Sequence, residues 1–296
     1  MILHRPRWPT AAVCLTALAV SAAACGDDSS GSSGSDVSTS ELSEAGRLVP
    51  AQIREEGTLS IATDPGYPPN EFLDTDGQTI VGMDIDLFDA VADELDLRTD
   101  YTSEDFESII TEVNKGNYDI GVSSFNINEE RKLEVTMVSY FTAGTRWAVP
   151  DGNPKQVDPQ APCGLAVSVK ASTVQGQRDL PTSAAACLAD GEGLQVLPFG
   201  TQEEATSALL AGEADAMVAD SPVISYATQQ HQGEIEAAGK AYDTADYGYV
   251  ISRDNPELAD AIQMALVTLA DEGTYGKVLE KWGQSDGAIN DFAINP

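Results

Sequence analysis

Basic residues are scarce in this chain: 16 Lys and Arg stand against 48 Asp and Glu in 296 residues, a formal net charge of −32 at pH 7. Such acidity repels phosphate backbones and anionic membrane surfaces, so nucleic acid is not expected as a partner. Histidine is scarcer still, with His4 and His231 alone, and there are four cysteines. No Cys/His cluster with metal-ligand spacing is present, so neither a metal nor a cofactor is expected. The apolar stretch Thr10 to Ala24 is too short to span a bilayer.

What the chain does contain is concentrated in Gly116 to Arg131, GNYDIGVSSFNINEER. Tyr118 to Val122 reads as a short buried strand ending in Ser123-Ser124. Asn128 is a good helix N-cap, Glu129 and Glu130 suit the positive end of the helix dipole, and Arg131 falls in the first turn. Hydroxyl and amide side chains beside a planar guanidinium can hold a small carboxylate. A surface arginine paired with Glu129 or Glu134 is the plainer reading of the segment taken alone.

A second segment repeats the pattern about a hundred residues later. Gly116-Asn117-Tyr118-Asp119-Ile120 leads to Ser124, and Gly212-Glu213-Ala214-Asp215-Ala216 leads to Asp220 at the same spacing. Each copy follows an amphipathic helix. Phe106, Ile109, Ile110 and Val113 share a face before the first, and a Thr201/Glu204 capping box opens the helix before the second. Two matched helix-turn-strand units predict two similar α/β lobes, each presenting the carboxyl end of a strand. One end offers Arg131 to an anion and the other offers Asp220 to a cation. A molecule with a carboxylate and an ammonium on one carbon fits between them.

From about Gly57 to Trp282 the chain resembles an extracytoplasmic solute-binding protein of the polar amino acid ABC transporter type, family 3, in its lipoprotein form. The resemblance is carried by Thr63 to Leu95, with its aromatic loop and G-x-D-x-D helix entry, by the carboxylate segment, by the Asp220 segment, and by the closing helices of Asn255 to Gly283. It implies the bilobed periplasmic-binding fold, two α/β lobes joined by a hinge of two crossovers. It further implies that Tyr67 and Phe106 sandwich the ligand, that Ser123, Ser124, Asn126 and Arg131 take its carboxylate with Thr173, beside Ser172, completing the grip, and that Asp220 takes its ammonium. As a helix N-cap, Asp220 has a second, compatible reading. Asp64 and Lys170 are placed near the ligand's side chain. Together they suit an amide, whereas Asp64 alone favours a guanidinium or ammonium. Asn70, Ala171 and Tyr140-Phe141 depart from the family pattern, which usually has phenylalanine, glycine and Pro-Tyr there.

The N-terminus resembles a lipoprotein signal: Arg5 and Arg7, the apolar stretch, then Ala22-Ala23-Ala24-Cys25. Residues 1–24 are read as signal peptide, Cys25 as the lipidated N-terminus and residues 25–48 as a disordered tether, with plain secretion as the alternative. The protein is then exported and held at the outer face of the cell membrane by its lipid. Loss of Cys14 and lipidation of Cys25 leave Cys163 and Cys187 as an even pair in an oxidising compartment, where a disulfide is expected; two free buried thiols are the alternative.

Residues 49–145 and 247–296 are assigned to the first lobe and 146–246 to the second, with crossovers near Gly144 to Trp147 and Thr244 to Tyr247. The expected function is capture of a polar L-amino acid, glutamine- or arginine-like, by hinge closure and its delivery by a monomer to an ABC transporter permease. A dehydratase on the same fold is one alternative, for which Glu71 and Glu107 are the nearest proton donors, both read here as surface residues. A receptor's sensing module is the other.

Overall fold

The computed structural model describes residues 42–296. The expected signal peptide, Cys25 and the tether as far as residue 41 lie outside the described residues. The first segment runs α1 (Ala51–Glu56), β1 (Thr58–Thr63), β2 (Gly66–Tyr67), β3 (Glu71–Leu73), β4 (Ile80–Val81), α2 (Met83–Glu94), β5 (Arg98–Ser103), α3 (Phe106–Asn114), β6 (Ile120–Gly121) and α4 (Glu129–Glu134). A long strand, β7 (Thr136–Pro150), leads to β8 (Ala166–Lys170). A π-helical turn, Gln175–Asp179, opens α5 (Leu180–Ala189), and β9 (Gln195–Phe199), α6 (Gln202–Leu210), β10 (Ala216–Asp220) and α7 (Ser221–Gln230) follow. The chain returns along β11 (Ile235–Ile251) and closes with α8 (Pro256–Asp271) and α9 (Thr274–Lys281).

The strands order as β5-β1-β6-β11-β7-β10-β8-β9, with β2-β3-β4 as a separate small sheet. Parallel pairs β1–β5, β1–β6, β10–β8 and β8–β9 lie toward the two ends. In the middle β7 and β11 run antiparallel to each other. Apolar patterning explains the layers. Leu258, Ile262, Ala265, Leu266 and Leu269 give α8 one buried stripe, which packs with α2 and α9 into the largest core. Two further clusters, built around Trp147, Val167 and Val218 and around Ala205, Met217 and Ile224, fill the other half. Separate apolar clusters on the two halves of one eight-stranded sheet are the bilobed α/β architecture expected from the repeat.

The two crossovers expected near Gly144 to Trp147 and Thr244 to Tyr247 are extended, and both lie inside long strands, β7 and β11, that run unbroken through both halves. Their pairing slips between Ala238 and Tyr242, between Tyr242 and Ala245, and between Tyr247 and Gly248. Such irregularities unpair backbone groups and increase local twist, so the ladder is weakest where the halves meet. The strand read as Tyr118 to Val122 is also shorter, Ile120–Gly121, because β1 and β11 pair only with that pair of residues.

Cys163 and Cys187 form a disulfide across 24 residues of sequence, tying the segment before β8 to α5. Closing a loop of that size removes denatured-state entropy worth about 3 kcal/mol. Replacing both cysteines by serine is expected to lower unfolding stability by about this amount in a denaturant titration; an unchanged midpoint would refute the assignment of that stability to the bridge.

Candidate functional site

The carboxyl ends of parallel strands from both halves converge on one cleft. β1 delivers Asp64, β6 delivers Ser123 and Ser124, β8 ends on Lys170, and β10 ends on Asp220. The repeat seen in sequence builds both sides alike. Gly116 and Gly212 take the left-handed conformation just past α3 and α6, with φ of 76° and 74°, the usual glycine exit from a helix. The aspartate three residues on then pins the neighbouring parallel strand: Asp119 accepts from Ser60 N at 2.8 Å, and Asp215 accepts from Ala166 N at 2.9 Å. The cleft holds about 350 Å³ of atom-free space, its open mouth included.

On the first side, Asn128 caps α4 by accepting from Arg131 N at 2.9 Å. The Arg131 guanidinium lies 5.3 Å from the ring centres of both Phe106 and Phe125, which stack 4.5 Å apart. It donates to the carbonyl of Asn126 at 2.8 Å rather than to a carboxylate. Burial lowers its pKa, an effect opposed by the charge of Asp220. This is a cation held by aromatic faces and one carbonyl, with donors left over for an anion. Asn126 lines the cleft, and its buried Oδ1 has no hydrogen-bond partner in the protein.

On the second side, Asp220 occupies the N-cap position of α7 but makes no capping bond. Its Oδ2 accepts from Tyr247 OH at 2.6 Å and its Oδ1 from Gln175 Nε2 at 2.7 Å. Its backbone N–H donates to Tyr67 OH at 3.2 Å, joining the two halves. Burial raises the Asp220 pKa while the Tyr247 and Gln175 hydrogen bonds lower it. Thr173 turns back on its own loop, donating to Lys170 O at 2.8 Å, and with Ser172 lines the cleft. Lys170 Nζ lies 2.6 Å from Asp64 Oδ2, an ion pair bridging the halves with the lysine side chain only 4% exposed. The same ammonium sits 5.3 Å from the Tyr67 ring centre.

Two serines read from sequence as anion donors have other partners. Ser123 Oγ accepts from Asp64 N at 3.1 Å and donates to Glu71 Oε1 at 3.3 Å. Ser124 is held at a positive φ of 49°; its hydroxyl lies 3.0 Å from Glu71 Oε2 and 3.1 Å from Asp84 Oδ2, and it accepts from Asn70 Nδ2 at 2.9 Å. Glu71, read as a surface residue, is buried and lines the cleft. Glu107 is on the surface and pairs with Gln177 at 2.9 Å. The G-x-D-x-D entry serves this arrangement. A Cβ on Gly82 would sit 2.0 Å from the Asn70 carbonyl, and Asp84 accepts from Ser124 N at 3.0 Å and from the Tyr140 hydroxyl. The departure at Asn70 therefore lies behind the cleft wall.

Burial raises the Glu71 pKa well above the ordinary carboxylate range, reinforced by Asp84 and opposed by Lys170 and Ser124. Burial also raises Asp84 to about 6 against the hydrogen bonds of Tyr140 and Ser124. An acid whose folded pKa is raised stabilises the fold below its unfolded pKa, and that contribution is lost as pH rises through the folded value. Glu71→Gln, which keeps the neutral shape, should therefore unfold at the parent's temperature near pH 4 and be the more stable near pH 8, by on the order of 1 kcal/mol or more. Equal pH slopes for the two proteins in thermal unfolding would remove Glu71 from proton binding.

A sequence profile of the bacterial extracellular solute-binding proteins, family 3, matches residues 59–285. The arginine-binding protein ArgT of Corynebacterium glutamicum is 35% identical over 249 residues, covering 84% of this chain and 81% of that protein. Among solved structures, an ancestral arginine-binding protein bound to glutamine is 32% identical with a TM-score of 0.67, over 77% of this chain and 98% of its own. An ancestral amino acid-binding protein described as a precursor of cyclohexadienyl dehydratase is 30% identical with a TM-score of 0.68, over 78% and 97%. The profile match spans most of the chain, both lobes included, and the chain belongs to the bacterial extracellular solute-binding proteins of family 3.

Proposed function

We propose that this protein is the substrate-binding component of an ABC importer that captures a polar L-α-amino acid between its lobes and presents it to a membrane permease. The observation that carries this reading is the facing of Arg131, half-buried, and Asp220, buried, across one cleft, each supported by neutral groups rather than by an opposite charge in contact. The ligand's carboxylate goes to Arg131, with Asn126, Ser123, Ser124 and the Thr173 loop around it. Its ammonium goes to Asp220, and its aliphatic part lies between Tyr67 and Phe106. Relatives named for arginine binding, and one bound to glutamine, support a ligand of that group.

The Asp64–Lys170 pair argues for the amide end of the group. Its charges cancel, so an incoming guanidinium would have to displace a buried lysine, whereas a carboxamide can accept from Lys170 and donate to Asp64 without separating them. In this reading residues 49–145 and 247–296 form the first lobe and 146–246 the second, and closure swings one onto the other about β7 and β11. Cys25 carries lipid that anchors a monomer outside the cell membrane, and the chain between Cys25 and Ser43, where packing on the first half begins, gives it reach.

Glu71 favours a second reading, since a buried carboxyl with a raised pKa in a cleft is what a dehydratase needs as a proton donor. Both Glu71 oxygens, however, face serine hydroxyls of the cleft floor, so we take the protein to be a binder and not an enzyme. Loss of an arogenate-like substrate in its presence would reverse that choice.

Calorimetry with L-glutamine and L-arginine tests the assignments. Arg131→Ala should weaken binding about a hundredfold or more with the fold intact, because a buried charge partner is worth several kcal/mol to the complex. Asp220→Asn should weaken the amino acid far more than its des-amino analogue. Lys170→Ala should move the preference toward arginine by about tenfold, since it frees Asp64. Parent protein that binds arginine but not glutamine would sink the amide argument alone, and an unaffected Arg131→Ala would sink the zwitterion site.

A further inference from the structure

The helix that carries Arg131 has nothing to stand on. α4 is six residues long and none of them is buried; Leu133 is 75% exposed. A helix this short does not persist on its own, and no apolar face docks this one. Its backbone is held instead by polar side chains reaching in from elsewhere. Arg253 donates to Leu133 O at 2.7 Å, and Asn114 Nδ2 donates to Glu134 O at 3.3 Å. A third tether runs outward from the helix itself. Lys132, beside Arg131, has a side chain only 18% exposed; it pairs with Glu129 at 2.7 Å and donates to Pro296 O at 2.6 Å.

Pro296 ends a segment that is fastened along its length. Residues 286–296 lie beyond the family match. They add an extended stretch to the free edge of β7, whose first half has β11 on one side while β10 pairs only with Thr145 to Ala148. Ser139 N donates to Ala293 O at 2.9 Å, Asn295 N to Met137 O at 2.8 Å, and Met137 N to Asn295 Oδ1 at 2.8 Å. Phe292 is buried edge-on against Tyr275, 5.1 Å between ring centres. Met137 follows α4 by three residues, so the segment grips the chain on both sides of the turn that leads out of the helix.

We infer that residues 288–296 are a clasp that positions α4, and through it the Arg131 guanidinium, for the carboxylate of the ligand. The inference rests on Arg131 being the carboxylate group of the site. A guanidinium grips a carboxylate through two parallel hydrogen bonds and tolerates little displacement. A helix with no buried residue passes slack in its tethers to the backbone of Arg131, whose guanidinium is otherwise held only by the Phe106 and Phe125 rings and the Asn126 carbonyl. Lys132, Asn295 and Phe292 are thus positioning residues, none of which touches the cleft.

The test compares whichever of L-glutamine and L-arginine the protein binds more tightly with the α-amide of that same amino acid, which keeps the ammonium and side chain but lacks the carboxylate. Protein ending at Gly287 is expected to bind the amino acid roughly tenfold more weakly, the equivalent of one charge-assisted hydrogen bond, and the amide almost unchanged. Asn295→Ala leaves the net charge alone and keeps the edge covered, so it serves if the truncated chain does not fold; it should shift in the same sense by a smaller factor. Equal losses for acid and amide, or a lower melting temperature with both affinities intact, would overturn the clasp and leave the segment as an edge cover. Parent protein that does not distinguish acid from amide would overturn the Arg131 reading, and the clasp with it.

Discussion

A charge taken out of water must meet an opposite charge, be ringed by hydrogen bonds, or give up its ionisation, and the cleft of this protein uses all of these. Lys170 and Asp64 cancel each other directly. Asp220, whose pKa burial raises, collects two side-chain donors, Tyr247 and Gln175, that favour its charged form. Glu71, with Asp84 close behind the same serine, is driven toward its neutral form. Arg131 has aromatic faces and a carbonyl, which leaves most of its donors for a guest. In the proposed complex the ligand completes the set, because its carboxylate and ammonium reach the two charges that the protein itself only half satisfies.

The same demand decides where the lobes touch. Contacts between the halves are mostly polar and include the Lys170–Asp64 pair, the Tyr67 hydroxyl on Asp220 N, the Tyr247 hydroxyl on Asp220 Oδ2, and Gln177 on Glu107 at the rim. Apolar contact is added by Tyr67, which packs into the cluster of the second half, and by Phe72, whose ring centre lies 6.3 Å from that of Tyr226. An interface of that kind separates at low cost. The continuous ladder of β7 and β11, slipped in register where the halves meet, can take up the bend without breaking a core. The hinge closure proposed above would therefore draw on irregular strand pairing rather than on a flexible linker.

Much of this was legible in the sequence because it is local. Gly116 and Gly212, the Thr201/Glu204 capping box and the Asn128 cap are each fixed by neighbours within a turn or two, and the structure has all of them. The two-lobed organisation followed from the repeat, and the disulfide from counting cysteines after export. Glu71 was misread because its surroundings, Asn70-Glu71-Phe72-Leu73-Asp74, look like the start of a polar turn. Its burial is imposed by Ser123, Ser124 and Asp84, which are distant in sequence. The N-cap reading of Asp220 failed for the same reason: Tyr247 and Gln175, far along the chain, bid higher for its oxygens than the nearby amides of α7. The closing segment carries no motif at all, since edge pairing uses backbone groups that every residue has.

The overall acidity adds a last constraint. With a net charge of −32, the surface field attracts cations and is indifferent to a zwitterion of zero net charge, so at low ionic strength it would hasten encounter with arginine and do nothing for glutamine. Selection between them cannot then be left to the field. In the proposed site it would be made at contact range, inside the cleft, where the Asp64–Lys170 pair would oppose the preference of the surface: a neutral pair offers a guanidinium no free charge, and displacing Lys170 strands a buried ammonium. A protein this acidic that is to accept an amide needs such a pair, and one that is to accept a cation would do better without the lysine. In that reading the residue at position 170 would carry a decision that the composition of the chain pulls the other way.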